Sequence, residues 1–411
     1  MTPPLRLLTF STLYPNAARA NHGVFVENRL RHLLASQKVE STVVAPVPFF
    51  PFSAPRFGAW AVHARAPHHE TRHGIAVHHP RYLVIPKFGT NVAPFLLYQA
   101  ASREIAKLIE GGLRFDAIDA HYLYPDGVAA VWLGRRFRRP VVITARGSDV
   151  TQLPDFLLPR RMIQRAIAAS DALISVSAGL KSALLALGAP GEKVTVLRNG
   201  VDLAMFRPAD RAGARARLGL TRPTLLSVGH LIPRKGHDRV IEALADLPEC
   251  DLLILGDGPE RGALSALIAR LGLASRVRLL GARPHHELAP IYSAADILVL
   301  ASSREGWANV LLEAMACGTP VVASNIPGNP EVVRERAAGL IVEHNTPHGI
   351  VQGVRALLAD PPSRAATRAY AERFGWEETS AGQRALFDTV IAEHARRVAD
   401  MAGLMDRTAA I

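Results

Sequence analysis

Twice along this chain, short β-branched runs alternate with helical stretches. A polypeptide written that way folds as parallel strands joined by crossover helices. The first series reads "LRLLTFST", "ESTVVAPV", "IAVHHPRYLV", "FDAIDAH", "PVVITARG", "ALISVS" and "KVTVLRNG". The second reads "TLLSVGH", "DLLILGDG", "RVRLLGA", "ILVLASS", "TPVVAS" and "GLIVEH". Between them lies "VDLAMFRPADRAGARARLGLTRP", poor in apolar residues and rich in Arg, Ala and Pro, which reads as a linker. A last stretch, "WEETSAGQRALFDTVIAEHARRVADMAGL", carries one long amphipathic helical pattern. At 411 residues the chain exceeds one ordinary core. The pattern predicts an α/β protein of two doubly wound domains facing each other, strand-end loops lining the cleft between them. The expected boundaries are 1–201, a linker over 202–222, a second domain over 223–374, and a helix over 375–411 crossing back to the first.

Charge divides the same way. The net charge is +12, and residues 1–200 hold 24 Lys or Arg against 12 Asp or Glu, whereas residues 201–411 hold 24 against 24. A basic first domain is expected to meet something anionic: a membrane surface or a phosphorylated substrate. Nucleic acid fits the sign but lacks any accompanying binding motif, so none is expected. The runs "RRFRRP" (135–140) and "PRRMIQR" (159–165) concentrate this charge, the second with Met162 and Ile163 placed to touch an acyl boundary. Two distant cysteines, Cys250 and Cys317, give no disulfide framework and favour a reducing cytoplasm. The opening "MTPPLRLLTFSTLYPN" reads as a first strand and not as a signal peptide, and no run approaches a membrane span. The expected location is cytoplasmic, with peripheral attachment at an inner membrane face.

The densest chemistry lies in "SSREGWANVLLEAMACGTPVVAS", residues 302–324. A buried strand runs into the turn "REGW" and then the helix "ANVLLEAMA", with Val310, Leu311 and Met315 facing the sheet. Gly306 lets a ligand approach, and the N–H groups around Ala308, Asn309 and Val310 form an anion site at the positive helix end. Glu305 precedes that end, and Glu313 follows eight residues later, about 12 Å along a helix at 1.5 Å per residue. That length suits a nucleotide-sugar, with one acid on the sugar hydroxyls and the other on the ribose. Taken alone, two such glutamates more often mean a helix cap and a solvated acid.

The surrounding motifs weigh against that plainer reading. E-x7-E followed by "ACGTPVVAS", with "LRNGVD" (197–202), "VGHLIPRKG" (228–236), "LGDGP" (255–259) and "YSAADILVLASS" (292–303), resembles the retaining GT-B glycosyltransferases of family four. In the first half "YPN", "HGVFV", "DAHYLYPDG" (119–127) and "TARGSD" (144–149) match less densely, and the last pair looks closest to members acting in cell-wall and capsular polysaccharide assembly. The resemblance implies a GT-B fold of two Rossmann-like domains, the first binding acceptor and the second a nucleoside-diphosphate sugar as co-substrate. It implies hexose transfer with retention to a glycan or polyprenyl-diphosphate-linked acceptor.

Site residues follow from the matched positions. Arg234 and Lys235 suit the diphosphate, whose charge grows as the glycosidic bond breaks. His230 stands where the family usually has arginine. Gly256 and Gly258 in "LGDGP" sit where the family brings the nucleotide close to the backbone, and Arg283 in "LGARP" where it contacts the base. Gly23 would let phosphates approach. His121 would touch the donor sugar or handle the acceptor proton, and Arg146 and Asp149 would lie on the acceptor side. No D-x-D pair is present, and the His pairs 68–69, 78–79 and 285–286 lack third ligands at metal spacing, so they read as surface residues and no metal or other cofactor is expected. Two rivals are a GT-B nucleotide-sugar epimerase and a non-catalytic nucleotide-sugar-binding assembly subunit. A dehydrogenase is disfavoured, because "TFSTLYPN" is no dinucleotide fingerprint.

Overall fold

A computed structural model describes residues 4–36, 38–84 and 89–409. They form two compact units. The first comprises residues 1–176, 180–198 and 377–411, the second 177–179 and 199–376.

Ten strands belong to the first unit: β1 (Leu5–Phe10), β2 (Val39–Val44), β3 (Val47–Pro48), β4 (His69–Arg72), β5 (Ile75–His78), β6 (Arg81–Tyr82), β7 (Ala117–His121), β8 (Val141–Ala145), β9 (Ala172–Ser175) and β10 (Val194–Val196). Eight form one sheet in the order β10-β9-β8-β7-β1-β2-β5-β4. Every pair is parallel except β4 with β5. β7, β8 and β9 are buried along their whole length, as continuous apolar runs covered on both faces must be. The stretch "IAVHHPRYLV", expected as one strand, divides: β5 stays in the large sheet and β6 pairs with β3 in a second, two-stranded one. The long final helix, Glu377–Ala409, belongs to this unit, where Phe387 and Val390 pack with Leu5, Leu7, Ala117 and Val142.

The second unit holds β11 (Thr224–Val228), β12 (Asp251–Leu255), β13 (Val277–Gly281), β14 (Ile297–Leu300), β15 (Val321–Ser324) and β16 (Gly339–Val342). Their order is β13-β12-β11-β14-β15-β16, all parallel. Counted from the first strand of the unit this is 3-2-1-4-5-6, the Rossmann order. Connections leave β11 and β14 in opposite directions, so their carboxyl ends splay apart, and ligands of such sheets sit in that crevice.

Residues 202–222 are not a linker. They lie in the second unit and include the helix Arg211–Arg217, capped by Asp210. Their arginines are there to pair: Arg211 and Arg215 both reach Asp296, which also accepts from the Thr224 N–H that opens β11.

Candidate active site

The switch point of the second unit is furnished by two loops. One follows β11 and carries Gly229–Gly236; the other follows β14 and carries Ser302–Ala308. Across them Lys235 Nζ donates to Glu305 Oε1 at 2.6 Å, Ser302 Oγ donates to the same oxygen at 2.8 Å, and Arg234 reaches Glu305 Oε2 at 3.4 Å. Arg234 also donates to the Arg304 carbonyl, and its own carbonyl accepts from the Ser303 N–H. Burial would raise the Glu305 pKa, but Lys235 and then Arg234 outweigh it and hold the group below its ordinary value. Two cations face one carboxylate, so the cluster keeps a net positive charge with Arg234 more than a third exposed. An anion entering here meets donors already oriented and only partly neutralised.

The helix after this loop begins at Asn309, not before it. Glu305 therefore lies in irregular backbone, and the 12 Å helical spacing expected between the two acids does not apply; Glu313 stands one turn inside the helix. At its start, Ala308 offers no side-chain cap and the first turn has no acid, which leaves the positive end unneutralised. Asn309 is held by Asn199 of "LRNGVD", whose Nδ2 donates to its Oδ1 at 3.3 Å. Val310 is partly exposed and Gly306 buried.

Glu313 is buried, and both its oxygens are engaged. Tyr292 OH donates to Oε2 at 2.7 Å, and His285 Nε2 lies 3.0 Å from Oε1. Phe206 packs edge-on against both rings, at 4.9 Å from His285 and 5.9 Å from Tyr292. His285 is thus no surface residue, contrary to the sequence reading, whereas His286 is exposed as expected. Burial pulls the His285 pKa down, Glu313 pushes it up more strongly, and the net shift is upward. The other pairs divide likewise: His68 and His69 are exposed, His78 bonds Glu104, and His79 is buried between the Ala45 carbonyl and Glu70.

Gly256 and Gly258 serve the loops themselves. A Cβ on Gly256 would stand 1.8 Å from the Gly229 carbonyl oxygen, and one on Gly258 2.5 Å from that of Leu231. These glycines seat the "LGDGP" turn directly on the loop that carries Arg234 and Lys235. His230 is exposed, its carbonyl accepting from the Ile232 N–H, and Arg283 is exposed as well.

In the first unit the expected residues are brought together, but inwards. His121 ends β7 with its ring buried. Arg146 donates to His121 Nδ1 at 2.8 Å, which makes Nδ1 the acceptor and puts the ring proton on Nε2, 3.4 Å from Asp119. Burial first, and Arg146 after it, lower the His121 pKa against the pull of Asp119. Gln383 of the final helix links Asp119 to the buried Arg29. Asp149 accepts from the backbone N–H groups of Leu123, Arg146 and Gly147, and is wholly buried. Its carboxylate ties the loops after β7 and β8 together, so it is a scaffold residue and not the acceptor contact expected. Arg146 is committed to His121 and to the Phe25 ring, 5.3 Å below its guanidinium. Gly23 has φ +72°, and a Cβ there would lie 2.3 Å from the Leu13 carbonyl oxygen, so the loop after β1 folds tightly on itself at the point expected to receive phosphates. Sequence reasoning missed Asp126, a buried carboxyl that takes both the N–H and the hydroxyl of Thr12 and whose pKa burial pushes up to about 7. Its only sequence signal was its place in "DAHYLYPDG".

Residues 23–205 match the model of Glycosyltransferase Family 4, and residues 210–374 that of Glycosyl transferases group 1. A D-inositol 3-phosphate glycosyltransferase 1 of Catenulispora acidiphila is 38% identical over 68% of this chain and 74% of its own length. One from Mycobacterium leprae is 32% identical over 70% of each. The match to the Segniliparus rotundus protein, also 38% identical, covers 46% of each, so the chain spans less than half of that relative. These relatives do not carry the polysaccharide-assembly label expected from "TARGSD". Among solved structures, a sucrose-phosphate synthase from Thermosynechococcus elongatus superposes with a TM-score of 0.76 at 22% identity, covering 95% of this chain and all of that one. Anabaena HepE in complex with UDP gives 0.71 at 21%, covering 94% and all of it. Two Rossmann-like parallel-sheet units, the GT-B fold of these neighbours and both family matches place this chain in glycosyltransferase family 4.

Proposed function

We propose that the chain is a retaining hexosyltransferase that moves a hexose from a nucleoside-diphosphate sugar to an acceptor hydroxyl without a metal ion. The observation that carries the reading is the Arg234–Lys235–Glu305 cluster at the strand switch point, beside an uncapped helix start. Arg234, Lys235 and the N–H groups at Asn309 and Val310 oppose the charge of the leaving diphosphate, the work a divalent ion would otherwise do. Glu305 faces the sugar hydroxyls and Glu313 the ribose. The bond from the anomeric carbon to the phosphate oxygen breaks, the acceptor oxygen bonds on the same face, and the acceptor proton passes to the departing phosphate oxygen. The buried, neutral His121 orients Arg146 and takes no proton in this scheme. Anabaena HepE, a solved structure of the same fold, held UDP and glucose, which supports a UDP-hexose donor.

The acceptor carries phosphate. The basic first unit supports this, and so do the names of the relatives, which act on an inositol phosphate. A polyprenyl-diphosphate acceptor at an anionic membrane is the second form, favoured by one face of the first unit. There Arg135, Arg136, Arg160, Arg161 and Arg165 are exposed beside Phe156, Leu157 and Leu158. A cavity of about 540 Å³ lined by Trp132, Arg135, Met162 and Arg165 opens among them. Ile163, expected at the acyl boundary, instead lies in the core. No helix among the described residues is long and apolar enough to cross a membrane.

NMR of the product formed from UDP-glucose with inositol phosphate or a polyprenyl-diphosphate sugar tests the reading. An α-linked product in excess EDTA supports it. A β-linked product, or activity that EDTA abolishes and Mg²⁺ restores, contradicts it.

A further inference from the structure

The most closely built feature of the second unit that the proposed reaction does not use is the aromatic clamp behind Glu313. Three elements supply it, two consecutive and one about eighty residues earlier in the chain. Phe206 comes from the segment before the Arg211–Arg217 helix, His285 from the short turn His285–Glu287, and Tyr292 from the helix Leu288–Ala294. Tyr292 and Phe206 are buried, and His285 is about three-quarters so. Each carboxylate oxygen of Glu313 receives one bond from the clamp, and a carboxylate offers about four acceptor sites. Two remain.

We infer that His285 is a positioning residue for the donor: it holds Glu313 Oε1 through Nε2, fixes the plane of the carboxylate, and aims its remaining lone pairs at the vicinal hydroxyls of the nucleotide ribose. This rests on the reading of Glu313 as a ribose ligand. Tyr292 alone cannot fix the plane, because a single bond to one oxygen leaves the carboxylate free to turn about it. Phe206, set edge-on to both rings, removes the space into which either could swing.

The device is sensitive to protons. The groups facing His285 are Glu313 on the helix Asn309–Ala316, Tyr292 on the helix Leu288–Ala294 that follows the turn of His285, and Asp202 on the segment that leads to Phe206; Glu287 turns to His286 instead. Tyr292 stays protonated, its pKa raised by burial first and then by Glu313. His285 is left as the group that titrates. Its pKa lies above the ordinary 6.5, so the attraction to Glu313 is complete below that pH and fades as pH climbs through the raised value. Donor affinity therefore falls towards alkaline pH.

Isothermal titration of UDP, GDP and ADP into the whole chain between pH 6 and 9 tests this, using wild type, His285→Gln, His285→Arg and Glu313→Gln. Comparing each variant with wild type at the same pH removes titration of the diphosphate itself. His285→Gln should weaken binding about tenfold at pH 6 and converge on wild type at pH 9. His285→Arg, a cation that does not titrate in this range, should rescue affinity at pH 6 and hold it at pH 9 where wild type loses it. If Glu313→Gln weakens binding but His285→Gln does not, or if the wild-type pH dependence survives in His285→Arg, His285 does not position the donor. If Glu313→Gln binds as wild type, or no diphosphate binds, the ribose reading fails first. Thermal melting of each variant separates loss of affinity from loss of fold: a His285→Gln chain rescued in stability but not in affinity by Arg would also overturn the inference.

Discussion

Lys235 and Arg234 share one partner, and this makes their loss informative. Removing either leaves Glu305 with one cation in place of two, so donor binding persists while charge developing on the diphosphate is opposed less. Lys235→Ala and Arg234→Ala should each lower kcat about 10²–10³-fold at saturating donor, the usual loss for a missing transition-state donor. Steady-state turnover checks it, and wild-type kcat in both variants removes the cations from the chemistry. Glu313→Ala should act differently. On the proposed function its carboxylate meets the ground-state nucleotide, so donor KM should rise about 10- to 150-fold, matching the loss of a charged hydrogen bond of about 1.5–3 kcal/mol, with kcat little changed. The adjacency of Arg234 and Lys235, and the spacing of Glu305 and Glu313, were readable because they are local. His285 was not: it sits 28 residues from the carboxylate it holds, and only the packing of its turn against the helix Asn309–Ala316 brings them together.

Elements explain where sequence pattern succeeded and where it stopped. All six strands of the second series form: the four central ones are apolar runs buried almost throughout, and the edge strands β13 and β16 are half-buried, each bounded by turn residues. The segment over 202–222 was misread because its arginines resemble a solvated linker until Asp296, on a distant strand entry, is seen to bind two of them. His121 was expected in the open because strand ends usually are. Its burial depends on Arg146 above it and on the Gln383–Asp119 contact, which spans 264 residues. Two predictions belong here. Gly256→Ala should destabilise the chain by more than about 2 kcal/mol in urea titration, since its Cβ meets backbone and not a movable side chain. Asp126 gives a pH signature. Its folded pKa of about 7 exceeds the ordinary 3.8, so the folded chain binds the proton more tightly. Stability should fall as pH rises between these values, by at most about 1.4 kcal/mol per pH unit. Asp126→Asn should flatten that slope, measured by urea unfolding from pH 4 to 8; an unchanged slope would place the titrating group elsewhere.

For the molecule as a whole, composition was the most direct guide. The excess of Lys and Arg lies entirely in the first half, and the exposed arginines of the first unit share a surface with exposed phenylalanine and leucine side chains. At about 1 kcal/mol for each basic residue near an anionic surface, Arg160→Glu, Arg161→Glu and Arg165→Glu together should abolish flotation of the full chain on phosphatidylglycerol vesicles. Binding equal to wild type would reject that face. The proposal that a cationic cluster in the second unit discharges a nucleotide from a sugar is tested most directly by nucleoside-diphosphate release. UDP-, GDP- and ADP-hexoses are supplied without acceptor, and the diphosphate freed is measured for wild type and Lys235→Ala. Wild type should release diphosphate slowly from one donor class, and the variant about 10²–10³-fold more slowly. Release that is equal in both proteins, or a bound donor that is never cleaved with or without a phosphorylated acceptor, would contradict it.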